Sequence, residues 1–172
     1  KSNSKLIWIT GLSGSGKTTI GEEVYKKLKK KYINTIFLDG DQIRDIYDND
    51  LGYSYQDRLK NAIRLHRTCK FLIDQNINVV CATISLFKKI HQLNRKNIKN
   101  YFEIFIECDI KELIKRDQKK LYSNALSNKL KNIVGLNQRY DKPENSDLII
   151  DNSIKNNLKI KVLKIIKKIG MK

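Results

Sequence analysis

The chain has one proline, Pro143, and three cysteines, Cys69, Cys81 and Cys108. The cysteines are odd in number, form no C-x-x-C pair and lie in apolar segments. That excludes a disulfide framework and favours buried free thiols in a reducing compartment. No apolar run is long enough to span a membrane, and no signal peptide is read at the start. A cytoplasmic protein with no membrane partner is expected. Internal repeats and low-complexity linkers are absent too, so the 172 residues are read as one domain, 1–172. A chain of this size buries roughly 70% of its unfolded surface and needs no staples. Acidic residues are also scarce, 18 against 35 Lys and Arg, for a net charge of +17. Such a balance invites a nucleic-acid partner. However, the lysines are spread along predicted helices, as at 26–31 and 164–168, and Asn and Ile are abundant. A solvated basic exterior that attracts small anionic substrates explains the charge as well, and no dedicated nucleic-acid site is expected.

What the chain does have is Gly11-Leu12-Ser13-Gly14-Ser15-Gly16-Lys17-Thr18-Thr19. It follows the apolar run Leu6–Ile9 and precedes Ile20, Val24 and Leu28 at every fourth position. Strand, glycine-rich turn, helix is the context that makes G-x-x-x-x-G-K-[ST] a phosphate-binding loop. The glycines let backbone N–H groups converge on an anion, and the helix start adds unpaired donors. Lys17 is expected at the outer phosphates of ATP and the Thr18 hydroxyl at magnesium. An unliganded glycine-rich turn is the competing reading, and the complete pattern in this context speaks against it.

Strands and helices alternate along the rest of the chain, which predicts a mainly parallel sheet covered on both faces. Strands are expected at 6–10, 35–38, 77–84, 102–108 and 148–151. Helices are expected from Thr18 to about Lys31, from the Ser54/Asp57 capping box to about Gln75, over Phe87–Ile98, from Asp109 to near Arg116, and over Ile154–Ile169 with Ser153 as cap. A brief helical turn is expected over Gln42–Tyr47. On the long helix Leu59, Ile63, Ile73 and either His66 or Cys69 form the apolar side. The stretch from Lys119 to Asp141 lacks a clean period and is long for a connection, which suits a lid.

Asp39 and Asp41 follow the second strand, at the sheet end where ligands bind in open parallel sheets. One can hold magnesium; the other can accept a hydroxyl proton, worth about 10²–10⁴ in rate. A turn that uses Asp-Gly-Asp for local hydrogen bonds is the alternative. Arg44 lies one turn on, and Arg58 and Asn61 share a helix face, a set suited to an anionic acceptor. Arg116 is expected over the ATP base, or paired with Glu112 or Asp117. Neither N-K-x-D nor a strand-borne D-x-x-G is present, which weakens a GTPase reading.

Together these residues resemble the adenylylsulfate (APS) kinases. The resemblance runs through the loop at 11–19, Leu38-Asp39-Gly40-Asp41-x-Ile43-Arg44, Asp50–Ser54 with Asp57, Arg58 and Asn61, Ile84-Ser85, Arg116-Asp117, Leu121-Tyr122 and Ala125, Gly135, and Tyr140-x-x-Pro143. It implies an α/β three-layer P-loop kinase fold with a lid at about 119–140, usually dimeric, using ATP and magnesium. The family phosphorylates the 3′-hydroxyl of a nucleotide whose 5′-phosphate carries a small anionic group. By that resemblance Gly11, Ser13, Gly14, Ser15, Gly16, Lys17, Thr18, Thr19 and Arg116 bind ATP. Asp41 serves the acceptor hydroxyl, with Lys17 as the other catalytic residue, and Thr18 and Asp39 serve the metal. Arg44, Arg58, Asn61, Ile84, Ser85, Lys119 and Leu121 line the acceptor, and Tyr53 stacks on its base.

Departures from the family pattern bear on the substrate. Ile84-Ser85-Leu86-Phe87-Lys88 stands where Ile-Ser-Pro-Tyr-Arg is usual, Lys119-Lys120-Leu121-Tyr122 where Lys-Gly-Leu-Tyr is usual, and Ile133-Val134-Gly135 where Phe-Thr-Gly supplies an aromatic face. Losing a stacking face worth about 1–3 kcal/mol suits a base smaller than a purine. The pattern is similar to a branch from capsule-making bacteria with A+T-rich genomes. Its acceptor is cytidine diphosphoramidate, on the path to capsular O-methyl phosphoramidate. Adenylylsulfate is the alternative acceptor. An ATP-dependent nucleic-acid module, and a nucleotide-binding regulator that transfers nothing, are the alternatives of another class.

Overall fold

The computed structural model describes residues 3–117, 120–127, 129 and 131–171. Five strands form one parallel sheet: β1 (Leu6–Thr10), β2 (Thr35–Asp39), β3 (Asn78–Thr83), β4 (Tyr101–Glu107) and β5 (Leu148–Asp151), in spatial order β2-β3-β1-β4-β5. β1 sits at the centre and is buried along its whole length. Successive side chains of a strand face opposite ways. Accordingly Leu6 and Trp8 enter one apolar core while Ile7 and Ile9 enter the other. The first core is closed by α3 (Tyr55–Asp74) and α4 (Lys88–Asn97), through Leu65, Cys69, Ile73 and Ile90. α1 (Lys17–Lys31) and α7 (Leu158–Lys168) close the second, through Ile20, Val24, Leu28, Val162 and Ile165. The three-layer α/β expectation is met.

Most element boundaries fall within a residue or two of expectation. Ser54 caps α3: its hydroxyl accepts from the Asp57 N–H at 3.1 Å and donates to the Asp57 carboxylate at 2.6 Å. A short helix, α2, covers Gly40–Ile46, with the Asp39 side chain accepting from the Asp41 N–H at 2.9 Å. α5 spans Ile110–Arg116 without a side-chain cap from Asp109.

Three expectations are corrected. The last helix begins at Leu158 and not at Ile154, and Ser153 does not cap it. Ser153 is committed elsewhere: its hydroxyl accepts from the Asp109 N–H and its carbonyl from Arg116. On α3 the expected apolar side is met: Leu59 and Ile63 pack half-buried against the first core, and Ala62, Leu65, His66, Cys69 and Ile73 are buried. Cys108 is half-buried; Cys69 and Cys81 are fully buried free thiols. The lid contains its own short helix, α6 (Leu121–Leu126), which closes a third apolar cluster with Leu12, Leu86, Phe105, Leu113, Ile133 and Val134.

One buried carboxylate reports on the sheet-to-α4 packing. Glu103 on β4 bonds His91 Nδ1 and the Tyr101 hydroxyl, both at 2.7 Å, and accepts from the Ser146 hydroxyl at 3.1 Å. Burial pushes this carboxyl upward, but the bond and charge of His91, with Tyr101 and Ser146, outweigh it and hold it below the ordinary value. A carboxyl lowered on folding stabilises above its unfolded pKa, and that contribution is lost as pH falls through the folded value. Glu103→Gln is therefore expected to lower Tm at pH 7. Thermal scans between pH 7 and pH 3 should show the gap to the unmodified protein closing as acid is added. A gap that stays constant would contradict the assignment.

Candidate active site

The loop after β1 is forced tight against the neighbouring strand ends. A Cβ at Gly11 would run into the Ile106 carbonyl of β4, and one at Gly16, whose φ is +98°, into the Asn152 side-chain amide. Asn152 is buried and uses all its polar groups. Its Nδ2 donates to the Ser15 carbonyl at 2.6 Å and its Oδ1 accepts from Lys161 Nζ at 2.7 Å. Its backbone N–H donates to Glu107 and its carbonyl accepts from Arg116. Arg116 spreads over the same brace. It donates to Glu112 at 3.1 Å, to the Gly14 carbonyl at 3.4 Å, and to the carbonyls of Asn152 and Ser153 at 2.7 and 2.8 Å. Its guanidinium is thus held by its own helix, the phosphate loop and the end of β5.

From the other side the lid holds the loop. The Tyr122 hydroxyl donates to the Ser13 carbonyl at 2.8 Å. Burial pushes that hydroxyl up to about 12, so it keeps its proton. Lys17 is buried, with Nζ donating to the Leu12 carbonyl at 2.8 Å. The Thr18 hydroxyl donates to Asp39 Oδ2 at 2.8 Å, joining the loop to the end of β2. Magnesium commonly takes one or two protein oxygens and completes its shell with phosphate and water. Thr18 and Asp39, with two oxygens already at one point, fit that sparse set. No group of three or more His, Cys or acidic ligands occurs among the described residues.

A solvent-open cleft with a volume of about 150 Å³ starts at this point. Ser13, Gly14, Lys17 and Thr18 line its donor end; Asp39 and Asp41 follow; then come Arg44, Arg58, Asn61, Ile84 and Ser85. The sequence thus anticipated most of this wall. Arg44 is buried and donates to the carbonyls of Leu51 and Gly52 at 2.9 and 3.2 Å. Arg58 donates to the carbonyls of Tyr53 and Asn132, at 3.1 and 3.0 Å, which ties α3 to the lid segment. Burial and the neighbouring Arg44 lower the Arg58 guanidinium, against the pull of Tyr53 and Asp41. Ser85 is buried and bonds the Thr83 hydroxyl at 2.8 Å.

Other predicted residues sit elsewhere. Tyr53 lies outside the cleft lining, 55% exposed, with the guanidiniums of Arg44 and Arg58 over its ring at 4.7 and 5.1 Å. Leu121 packs into the cluster under the lid. Lys119 lies outside the described residues. Thr19 belongs to a second groove on the far flank of the loop, with Gly16, Asn152 and 155–158. Among the other lining residues, Tyr55, Gln138 and Arg139 are not anticipated as site residues in the sequence, whereas Phe87 and Val134 figure there only as departures from the family pattern and Tyr140 only as part of it. Tyr55 and Phe87 meet edge to face at 5.1 Å; Val134, Gln138, Arg139 and Tyr140 complete the wall. Asn152 gives no local signal, because its role depends on contacts across the sheet.

The sequence model of the family described as adenylylsulphate kinase matches residues 3–151. A cytidine diphosphoramidate kinase of Campylobacter jejuni is 52% identical over 171 residues, 99% of each chain. An adenylyl-sulfate kinase of Prochlorococcus marinus is 38% identical over 154 residues, 88% of this chain and 77% of that one. Among solved structures, the Mycobacterium tuberculosis APS kinase in complex with AMPPNP and APS superposes with a TM-score of 0.88 at 31% identity, covering 98% of both chains. The family match runs from ahead of the first strand to the last one, and both relatives and structure agree with it: the chain belongs to the adenylylsulphate kinase family.

Proposed function

We propose that the protein transfers the γ-phosphate of ATP to the ribose 3′-hydroxyl of cytidine diphosphoramidate, as a cytoplasmic homodimer serving capsular O-methyl phosphoramidate synthesis. The observation that carries the acceptor is the 52% identity, over 99% of both chains, to the Campylobacter cytidine diphosphoramidate kinase, against 38% to the Prochlorococcus adenylyl-sulfate kinase. The chemistry follows from the cleft. A triphosphate on the loop amides leaves its nucleoside end to the groove beside Asn152 and turns its terminal phosphate toward Asp39 and Asp41. Lys17 exchanges its bond to the Leu12 carbonyl for the phosphate oxygens. Asp41 takes the proton of the acceptor hydroxyl as its oxygen bonds to the γ-phosphorus, and the bond to the β-phosphate oxygen breaks, releasing ADP. Thr18 and Asp39 would hold magnesium, which would neutralise charge on the phosphates. Arg44 and Arg58 place cationic charge along the acceptor's side of the cleft. Adenylylsulfate is the second acceptor reading, favoured by the TM-score of 0.88 to an APS kinase whose structure contains APS.

Steady-state kinetics with both acceptors decides between them. Cytidine diphosphoramidate is expected to give the higher kcat/KM; a large advantage for adenylylsulfate would remove the cytidine assignment. Asp41→Asn is expected to keep ATP binding in calorimetry and lose about 10²–10⁴ in transfer rate. Turnover within a few-fold of normal would show that Asp41 is not the base. Asn152→Ala releases the Ser15 carbonyl and should raise the KM for ATP about tenfold, the scale of one buried hydrogen bond, with a smaller effect on the KM for acceptor. An unchanged KM for ATP would deny the brace its role.

A further inference from the structure

The wall of the cleft carries a buried polar atom that the fold itself does not use. Gln138 lies near the end of the lid, bridges to Val134, and is a lining residue of the cleft with Asp41 and Asn61. Its Nε2 faces the Tyr53 carbonyl at 3.4 Å. A carbonyl accepts only, so this contact sets which way the amide points. Oε1 is then buried with no hydrogen-bond partner among the described residues. Native proteins keep few such atoms, and each calls for an explanation. The next residue, Arg139, lines the same wall, with its guanidinium over the Tyr55 ring at 5.5 Å. Two consecutive residues of the cleft wall thus carry one unused acceptor, on Gln138, and one fork of donors, on Arg139 at the Tyr55 ring. The other two cleft arginines are already engaged, Arg44 with Leu51 and Gly52, Arg58 with Tyr53 and Asn132.

Base edges differ in the order of these groups. Cytosine shows a donor, its exocyclic amine, followed by two acceptors, the ring nitrogen and the carbonyl oxygen. Uracil puts an acceptor first, and adenine has an amine and only one acceptor on that edge. An amide oxygen beside a guanidinium complements the cytosine order and sets oxygen against oxygen for uracil. We infer that Gln138 and Arg139 read the base of the acceptor nucleotide. Gln138 Oε1 accepts from the exocyclic amine, and Arg139 donates to the ring nitrogen and carbonyl of a cytosine. This rests on the proposed nucleotide 3′-kinase activity and gives that site its specificity residues. It locates selection in the last residues of the lid and not at Tyr53, which lies outside the lining.

The test compares cytidine and uridine 5′-diphosphoramidate, with adenylylsulfate as third acceptor, in the unmodified protein, Gln138→Leu and Arg139→Met. The unmodified protein should favour cytidine over uridine by at least about 100-fold in kcat/KM, as a site with a committed hydrogen-bond partner does. Gln138→Leu should reduce that ratio to about tenfold or less by loss on the cytidine side, with the KM for ATP unchanged. Arg139→Met should raise the KM for the cytidine conjugate more than it lowers kcat. Should the leucine variant not hold ATP, Gln138→Met, closer in shape, supplies the same ratio. A cytidine-over-uridine ratio kept within threefold in an active Gln138 variant overturns the inference alone. Preference of the unmodified protein for adenylylsulfate overturns both it and the acceptor proposed above.

Discussion

A hydrogen bond from the Thr18 hydroxyl to Asp39, 2.8 Å long, joins the two halves of the site. Thr18 belongs to the loop that receives the donor phosphates, and Asp39 to the strand end that presents Asp41. These strands are not neighbours: β3 lies between β2 and β1 in the sheet. Their ends meet because a parallel sheet delivers every strand's carboxyl end to one edge, and because α1 and α2 both start there. Asp39 makes the junction rigid by working twice. One carboxylate oxygen takes the Thr18 hydroxyl and the other takes the Asp41 N–H. The residue proposed as base is thereby positioned by the residue proposed to hold the metal.

The phosphate loop is held in place from behind and from above. Behind it, Asn152, Arg116 and Lys161 tie the carbonyls of Gly14 and Ser15 to the ends of α5, β5 and α7. Above it, Tyr122 takes the Ser13 carbonyl and Gly135 packs on Leu12. The carbonyls of Ser13, Gly14 and Ser15 are thereby committed to partners outside the loop, where an anion is held by backbone N–H groups converging on it. The lid thus shares with the loop both an apolar cluster and a hydrogen bond, and the two act as one packed unit.

Much of this was legible in the sequence, for reasons that differ by element. The loop, β1 and α1 were readable because a fixed local pattern sits between a short apolar run and a helical period. The α3 start was readable because Ser54 and Asp57 satisfy each other within one turn. The Asp39/Asp41 pair was readable by its place after a strand. The start of α7 was not, because Ser153 serves Asp109 and Arg116 across the chain instead of its own helix. Asn152 and Gln138 were invisible for the same reason: their partners, Ser15 and Tyr53, lie far away in sequence. Tyr53 was assigned by resemblance, whereas in this structure two arginines occupy its ring and the cleft takes its aromatic wall from Tyr55 and Phe87. Where the family places an aromatic, Ile133 turns into the core and Val134 offers an aliphatic surface.

In the proposed reaction one cleft brings a donor phosphate on the loop to an acceptor hydroxyl at Asp41. A crystal structure with AMPPNP, magnesium and cytidine diphosphoramidate tests it most directly. The terminal phosphate is expected against Lys17 and Thr18, and the 3′-hydroxyl within about 2.6–3.2 Å of the Asp41 carboxylate. A triphosphate bound away from the loop, or a sugar hydroxyl turned away from Asp41, would contradict it.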